Sequence, residues 1–438
     1  MSEILKKNQV VKTEISKLDC RVGEFLGGGG QGEVYKADLG GQAVALKWYY
    51  PNSATPQQRT ALEKLIEKGA PNARFLWPAE IVTESSTPGF GYVMPLREKR
   101  FGNIVDLMKR RISPKLAVLV RVGFELANSF LQLHSKGLCY RDISFGNAFF
   151  DPNTGEVLIC DNDNVSIDGQ SDGGVLGTPR FMAPEVVRGD SKPNKDTDLY
   201  SLAVLLFYIL MTSHPLEGKK ESDIKCFDLP AMNKLYGTEP VFIYDPADDS
   251  NRPVKGYHDN AIAFWDIYPE FIKNLFMKAF TTGIKDPVNG RVRESEWRMA
   301  LIRLLDSVMY CKCGAENFYD KEKLQKNKSL TCWDCRKAMT LPPRINIGGN
   351  IVMLNYDTKI HPHHIDDHSK IFDFSILVAE VNQNPNKPGQ WGLKNDSSEK
   401  WNITMPDGTL KDVEPGRNAP ILNGLKINFG KATGEIRA

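Results

Sequence analysis

Tyr140-Arg141-Asp142-Ile143-Ser144-Phe145-Gly146-Asn147 and, a little further on, Val157-Leu158-Ile159-Cys160-Asp161 carry most of the chemistry legible in this chain. The first stretch places a carboxylate, Asp142, five residues before a carboxamide, Asn147, and the second is a short apolar run that delivers Asp161 from a strand end. Such oxygen ligands suit magnesium, which keeps part of its shell for water and phosphate oxygens. Upstream lie Gly27-Gly28-Gly29-Gly30-Gln31-Gly32-Glu33-Val34 and Val44-Ala45-Leu46-Lys47. A glycine loop between strands lets the backbone lie close over phosphates and donate N–H groups to them. By itself it reads equally as a flexible hairpin. Lys47 lies fifteen residues after Gly32 inside an apolar strand, and this favours a bound polyphosphate, because a strand lysine otherwise faces solvent. Downstream, Gly177-Thr178-Pro179-Arg180-Phe181-Met182-Ala183-Pro184-Glu185 completes a series of segments that, in this order, points to phosphoryl transfer.

Over about residues 20–308 these segments resemble the eukaryotic-type protein kinase superfamily. The resemblance implies an α+β, two-lobed fold, with an N-lobe over 21–95, a C-lobe over 96–308, and ATP with magnesium or manganese in the cleft. It implies that Gly27, Gly28, Gly29, Gly30, Gly32 and Val34 cover the nucleotide with Ala45 beside it. Lys47 would pair the α and β phosphates and be held by a helix carboxylate. Glu63 is the first choice for that carboxylate and Glu67, one turn later, the rival; a solvated salt bridge suits either equally well. Met94 would end the strand at the back of the adenine pocket, with Pro95 accepting from the adenine amino group and Arg97 donating to the ring. A proline that merely ends a strand reads the same. Asp142 would orient the attacking hydroxyl while Asn147 and Asp161 hold the metal, making Lys47, Asp142, Asn147 and Asp161 the catalytic set, with Asp163 the alternative ligand. Asp198-Leu199-Tyr200-Ser201-Leu202 resembles the start of the family's buried large-lobe helix, and Arg291 the arginine that ion-pairs with Glu185.

The Gly177–Glu185 stretch resembles Ser/Thr kinases more than tyrosine kinases, which implies a protein hydroxyl as acceptor, autophosphorylation included. Arg141 could bind a phosphate on Ser166, Ser171 or Thr178. Three departures stand out. Tyr140 replaces the usual histidine, a packing change; Ser144 replaces a lysine near the γ-phosphate, removing one positive charge; Asn162 and Asp163 replace the usual Phe-Gly, removing an apolar anchor and a backbone hinge. Two readings follow: an active Ser/Thr kinase, or a nucleotide-binding pseudokinase scaffold that recruits partners.

The chain has 438 residues, more than one core usually holds, since single cores stop growing near ~250–300 residues. A formal charge of +2 gives no reason to expect a nucleic-acid or membrane partner, and Met1 is followed by polar residues without an apolar signal core. The longest apolar stretch, Leu199–Met211, is short of the ~20 residues a bilayer needs and reads as a buried helix. Residues 1–20 read as a polar lead-in, Pro56–Lys68 as a helix, and Ile104 to about Leu138 as helical. Over 309–340, Cys311-Lys312-Cys313 and Cys332-Trp333-Asp334-Cys335 have the spacing of a structural zinc ribbon with no open ligand position. Free thiols or disulfides are the alternative. The segment is neither markedly basic nor rich in stackable aromatics, so nucleic acid is not its expected partner. With Cys20, Cys139, Cys160 and Cys226 scattered, the pattern suggests a reducing cytoplasm.

Residues 341–438 alternate strands (Ile371–Val381, Trp401–Met405, Pro420–Phe429) with turns, as in a small all-β sandwich or barrel. His361, His363, His364 and His368, with Asp366 and Asp367, invite a second metal but read better as a polar surface turn. Gly392-Leu393-Lys394-Asn395 resembles forkhead-associated domains without their arginine and serine signature, which leaves an interaction module. A kinase followed by a zinc ribbon and a β domain resembles bacterial kinases encoded in tellurite-resistance-associated clusters. That resemblance implies a von Willebrand factor A protein and a PP2C-type phosphatase as partners.

Overall fold

Residues 3–169, 176–327, 330–366 and 372–438 are described by a computed structural model. They divide into two units, Met1–Trp265 with Asn274–Arg298, and Asp266–Lys273 with Met299–Ala438. Composition changes after Met309, whereas the structural division already gives residues 299–308 to the second unit.

In the first unit, β1 (Val10–Thr13), β2 (Asp19–Gly28), β3 (Gly32–Leu39), β4 (Gln42–Tyr49), β5 (Glu80–Thr83) and β6 (Gly91–Pro95) close a barrel in the order β1-β2-β3-β4-β6-β5. The expected polar lead-in is therefore corrected. Val10–Thr13 pairs with both β2 and β5, and Leu5 and Val11 are buried among Val22, Tyr35 and Trp48. So short an alternation offers little signal until the neighbouring strands supply its partners. The parity of β4 decides where Lys47 points. Val44, Leu46 and Trp48 fill the barrel, while Ala45 and Tyr49 face the other way, into a cluster with Leu62 and Met94. Lys47 shares that second face, because side chains alternate along a strand. Helix α1 (Pro56–Lys68) covers it, capped by the Thr55 hydroxyl on the Gln58 N–H with Pro56 in the first turn.

Pro114 interrupts the helical run expected from Ile104 to Leu138, leaving α2 (Ile104–Met108) and α3 (Leu116–Ser135). By length and composition alone α3 could cross a membrane, but most of it is buried and it packs on α5 (Lys195–Met211), which follows the short α4 (Pro184–Val187). Every α5 residue from Thr197 to Met211 is buried. Between the two helices the chain forms β9 (Ala148–Phe150) and β10 (Val157–Ile159), following β7 (Gly102–Asn103) and β8 (Leu138–Cys139). β9 and β10 pair antiparallel with Ala148 opposite Ile159. That register sets Asn147 and Asp161 side by side just beyond the strand ends.

The second unit holds a hairpin, Val308–Tyr310 with Glu316–Phe318, next to the cysteine segment. Beyond it are a six-stranded sheet and a four-stranded sheet. Ile345, Trp401, Ile403 and Ile427 of the first share one core with Ile360, Val381, Leu393 and Ala419 of the second, as sandwiched sheets do. The expected strands are shorter than read: Ala379–Gln383, Trp401–Thr404 and Lys426–Asn428.

Candidate active site

The loop carrying Asp142 hangs from α5. Asp198 accepts the Tyr140 N–H at 2.5 Å and the Arg141 N–H at 2.9 Å. Arg141 adopts a positive φ of 77°, a conformation costly for a long side chain unless its backbone is held. His134, at the end of α3, supports Asp198 from behind: its Nε2 lies 3.1 Å from Asp198 and its Nδ1 bonds Glu294. Burial works against its charge, yet hydrogen bonds to the two carboxylates raise it to about 9. The sequence reading missed this histidine, since at a helix end it has no local signature.

Asp142 accepts the Thr178 hydroxyl at 2.8 Å and the Asn147 Nδ2 at 3.2 Å; the same Nδ2 donates to the Asp142 carbonyl at 2.8 Å. Thr178 reaches Asp142 because Gly177, at φ 108°, passes where a Cβ would crowd the Arg141 carbonyl. The Cys160 N–H donates to the Asn147 carbonyl at 2.9 Å, tying Asn147 beside Asp161. Asp161 also has positive φ, and its side chain stays 46% exposed towards the cleft. Burial raises its pKa, Asp163 adds to the rise and Lys47 opposes it. One carboxylate and one carboxamide oxygen beside an open cleft fit a magnesium or manganese ion that also takes phosphate oxygens.

Lys47 does not pair with a helix carboxylate, and the Glu63 assignment is corrected. Its Nζ lies 2.8 Å from Asp163 and 3.5 Å from Asp161. Glu63 is 52% exposed and bonds Arg59 one turn back at 3.2 Å; Glu67 is exposed as well. From α1 it is Gln58 that reaches Asp163, its amide donating to the Tyr49 hydroxyl and the Asp163 carbonyl. Asp163, the expected alternative metal ligand, is fully buried, and the Tyr49 hydroxyl donates to it at 2.6 Å. Burial would raise the Asp163 pKa, but the Lys47 charge together with the hydrogen bonds from Lys47 and Tyr49 turns the net direction down.

Above the cleft, Gly29 N–H bonds the Gly32 carbonyl at 2.9 Å, while Gly27, Gly29 and Gly30 border open space. Gly32 is a glycine for another reason: a Cβ there would run into the Trp48 carbonyl of β4. Gln31, at the loop tip, donates to Asn164 at 3.0 Å. Val34, Ala45 and Met94 gather with Leu158 and Cys160 into one apolar cluster, to which β10 adds a side that motif reading left out. Pro95 is exposed at the end of β6, and Arg97 lays its guanidinium over Phe149 at 4.1 Å.

Residues 20–265 match the protein kinase domain model. The chain belongs to the protein kinase family. It is 26% identical over 265 residues to a protein of Dictyostelium discoideum named "Probable LIM domain-containing serine/threonine-protein kinase", covering 58% of this chain and 38% of that one. The DNA damage-responsive serine/threonine-protein kinase RqkA of Deinococcus radiodurans is 30% identical over 211 residues, 46% of this chain and 31% of RqkA. The cell cycle serine/threonine-protein kinase CDC5/MSD2 of Saccharomyces cerevisiae is 28% identical over 191 residues, 40% and 26%. Several curated relatives thus carry the serine/threonine-protein kinase name, and the kinase spans only 13 to 38% of the first four it matches.

The family departures have physical replacements in this kinase. Tyr140 does more than pack: its hydroxyl donates to the Cys160 carbonyl, next to Asp161. Asn162 swaps an apolar anchor for a polar one, its Nδ2 donating to the Leu76 and Ile159 carbonyls at 2.9 Å each. Ser144 is buried and adds no positive charge. Arg291 Nη2 donates to both Glu185 carboxylate oxygens, at 2.6 and 2.8 Å, in a buried ion pair. Ser171 lies outside the described residues, and the Thr178 hydroxyl is committed to Asp142.

In the second unit the sulfurs of Cys311, Cys313, Cys332 and Cys335 all lie within 4.8 Å of one another. Cys311–Cys335 and Cys313–Cys332 are 3.7 and 3.8 Å apart. A tetrahedron with ~2.3 Å zinc–sulfur bonds has edges of about 3.8 Å, so the donor set fits zinc. Burial raises the Cys332 thiol, but backbone N–H groups of Cys335 and Asp334 with the Asn317 amide bring it down to about 6. The histidine run is not a polar surface turn. His361 and His364 are buried, with His361 Nδ1 2.7 Å from the Ile376 carbonyl and His364 Nε2 3.0 Å from Asp306. Asp367 and His368 lie outside the described residues; among those described, only the cysteines gather three or more metal-ligating groups.

Proposed function

We propose that the chain is an ATP- and magnesium-dependent protein kinase that phosphorylates Ser or Thr hydroxyls, its own included. The observation that carries this reading is Asp142, tethered through Asn147 and Thr178 in a cleft that also holds Lys47 and Asp161. In the reaction the acceptor oxygen bonds the γ-phosphorus as the bond to the β-phosphate bridging oxygen breaks, and ADP leaves with that electron pair. Asp142 orients the hydroxyl and takes its proton. Lys47 offsets charge on the α and β phosphates. Asn147 and Asp161 would hold magnesium, which neutralises charge building on the transferring oxygens.

The pseudokinase scaffold is the second reading, favoured by Ser144, which leaves the γ-phosphate without a lysine charge. Labelled-ATP autophosphorylation of the intact chain, beside Asp142→Ala, separates the two. Transfer lost in the variant supports the enzyme, and no transfer by the intact chain to itself or to a panel of proteins overturns it. We also infer structural zinc at the four cysteines, a cytoplasmic setting consistent with the free thiols of Cys20, Cys139, Cys160 and Cys226, and proteins as substrates. A von Willebrand factor A protein and a PP2C-type phosphatase as partners rest on the family resemblance alone.

A further inference from the structure

We propose that Asp163 has taken over the anchoring of Lys47 from helix α1, so that nucleotide-site geometry in this kinase does not depend on movement of that helix. The inference rests on the kinase reading above and concerns how the site is controlled. In the family pattern a lysine–glutamate pair between strand and helix must form before phosphoryl transfer, and helix position therefore serves as a switch. Here the carboxylate comes from the turn that follows Asp161. Asp163 bonds Lys47 at 2.8 and 3.0 Å and receives the Tyr49 hydroxyl at 2.6 Å. Since Lys47 and Tyr49 lie on one face of β4, both donors converge on one carboxylate. Both members of the ion pair are buried, so each would be left as an uncompensated charge if the other were lost.

What α1 contributes is neutral: the Gln58 amide, on the Tyr49 hydroxyl and the Asp163 carbonyl. Its two acidic candidates, Glu63 and Glu67, face solvent. The far end of α1 is also fastened to the large lobe. Lys136 Nζ bonds the carbonyls of Lys68, Gly69 and Ala70 at 3.2, 3.2 and 2.9 Å. Trp77 donates its indole N–H to the Leu65 carbonyl at 2.8 Å. The segment just before it runs alongside β10, with Leu76 N–H on the Ile159 carbonyl at 2.9 Å and Ile159 N–H on the Arg74 carbonyl at 2.8 Å. A helix that holds no charge for the lysine and is tied down at its end is a poor switch. Asp163 is accordingly a positioning residue, acting through Lys47.

The test is a double-mutant cycle on the full chain, read by magnesium-free binding of a fluorescent ADP analogue and by KM for ATP. Asp163→Asn should weaken both by about tenfold or more, and in a Lys47→Met background it should add less than about twofold, because the two act as one unit. Glu63→Gln and Glu67→Gln should each change them less than about twofold. Tyr49→Phe, which deletes only a hydroxyl, should weaken binding about two- to fivefold and keeps the idea testable if Asp163→Asn fails to fold. Additive effects of Lys47→Met and Asp163→Asn, or a large loss in Glu63→Gln, would overturn the proposal. So would an Asp163→Asn defect seen only as a higher magnesium requirement, which would make Asp163 a metal ligand. Absence of phosphoryl transfer by the intact chain would instead count against the kinase reading, while the binding cycle would still report on Lys47 and Asp163.

Discussion

His134 should make the stability of the kinase unit fall as pH rises from neutral to alkaline. The imidazole is buried between Asp198 and Glu294, and its pKa is raised to about 9. An unfolded histidine titrates near ~6.5. Because the folded pKa is the higher one, the stabilisation is fully present below about pH 6.5 and is lost as pH climbs through about 9. The gap corresponds to about 3 kcal/mol, with a steepest slope of about 1.4 kcal/mol per pH unit. Urea unfolding of the full chain and of His134→Gln, followed by tryptophan fluorescence at pH 6.5, 7.5 and 9, measures it. The native chain should lose stability across that window; the variant should start lower and be nearly flat. Equal pH slopes in the two proteins would refute the reasoning. The same titration should loosen the catalytic loop, because Asp198, which His134 supports, holds the Tyr140 and Arg141 amides.

Zinc should be found in protein purified without chelators, and chelation or Cys332→Ser should unfold the 309–340 segment while the kinase lobes stay folded, as structural zinc binding is largely folding free energy; elemental analysis without zinc would end this idea. Asp161→Ala should weaken Mg-ATP binding and abolish transfer, whereas Asp142→Ala should leave binding nearly unchanged and lower the rate by orders of magnitude. Calorimetric titration of both variants separates metal holding from hydroxyl positioning.

That Lys47, Asp142, Asn147 and Asp161 gather in one cleft was legible in the sequence because each sits in a short segment whose neighbours announce it: an apolar strand before Lys47 and before Asp161, and a fixed spacing from Asp142 to Asn147. α1 and α5 were legible too, since an apolar helix side and a long, mostly apolar run are local signals. The cysteine pairs could be read for the same reason, as ligand spacing is a property of the chain. Contacts between distant segments were decided only by the tertiary structure. Which carboxylate meets Lys47 depends on how tightly the turn after Asp161 packs beneath β4, and sequence spacing pointed to Glu63 instead. That Val10–Thr13 closes the barrel depends on partners 7 and 71 residues from Lys12, namely Asp19 and Thr83. His134 gained its charge from Asp198 and Glu294, 64 and 160 residues on. Local propensity and ligand spacing are written along the chain, whereas the pairing of buried charges is set by which surfaces the fold brings together.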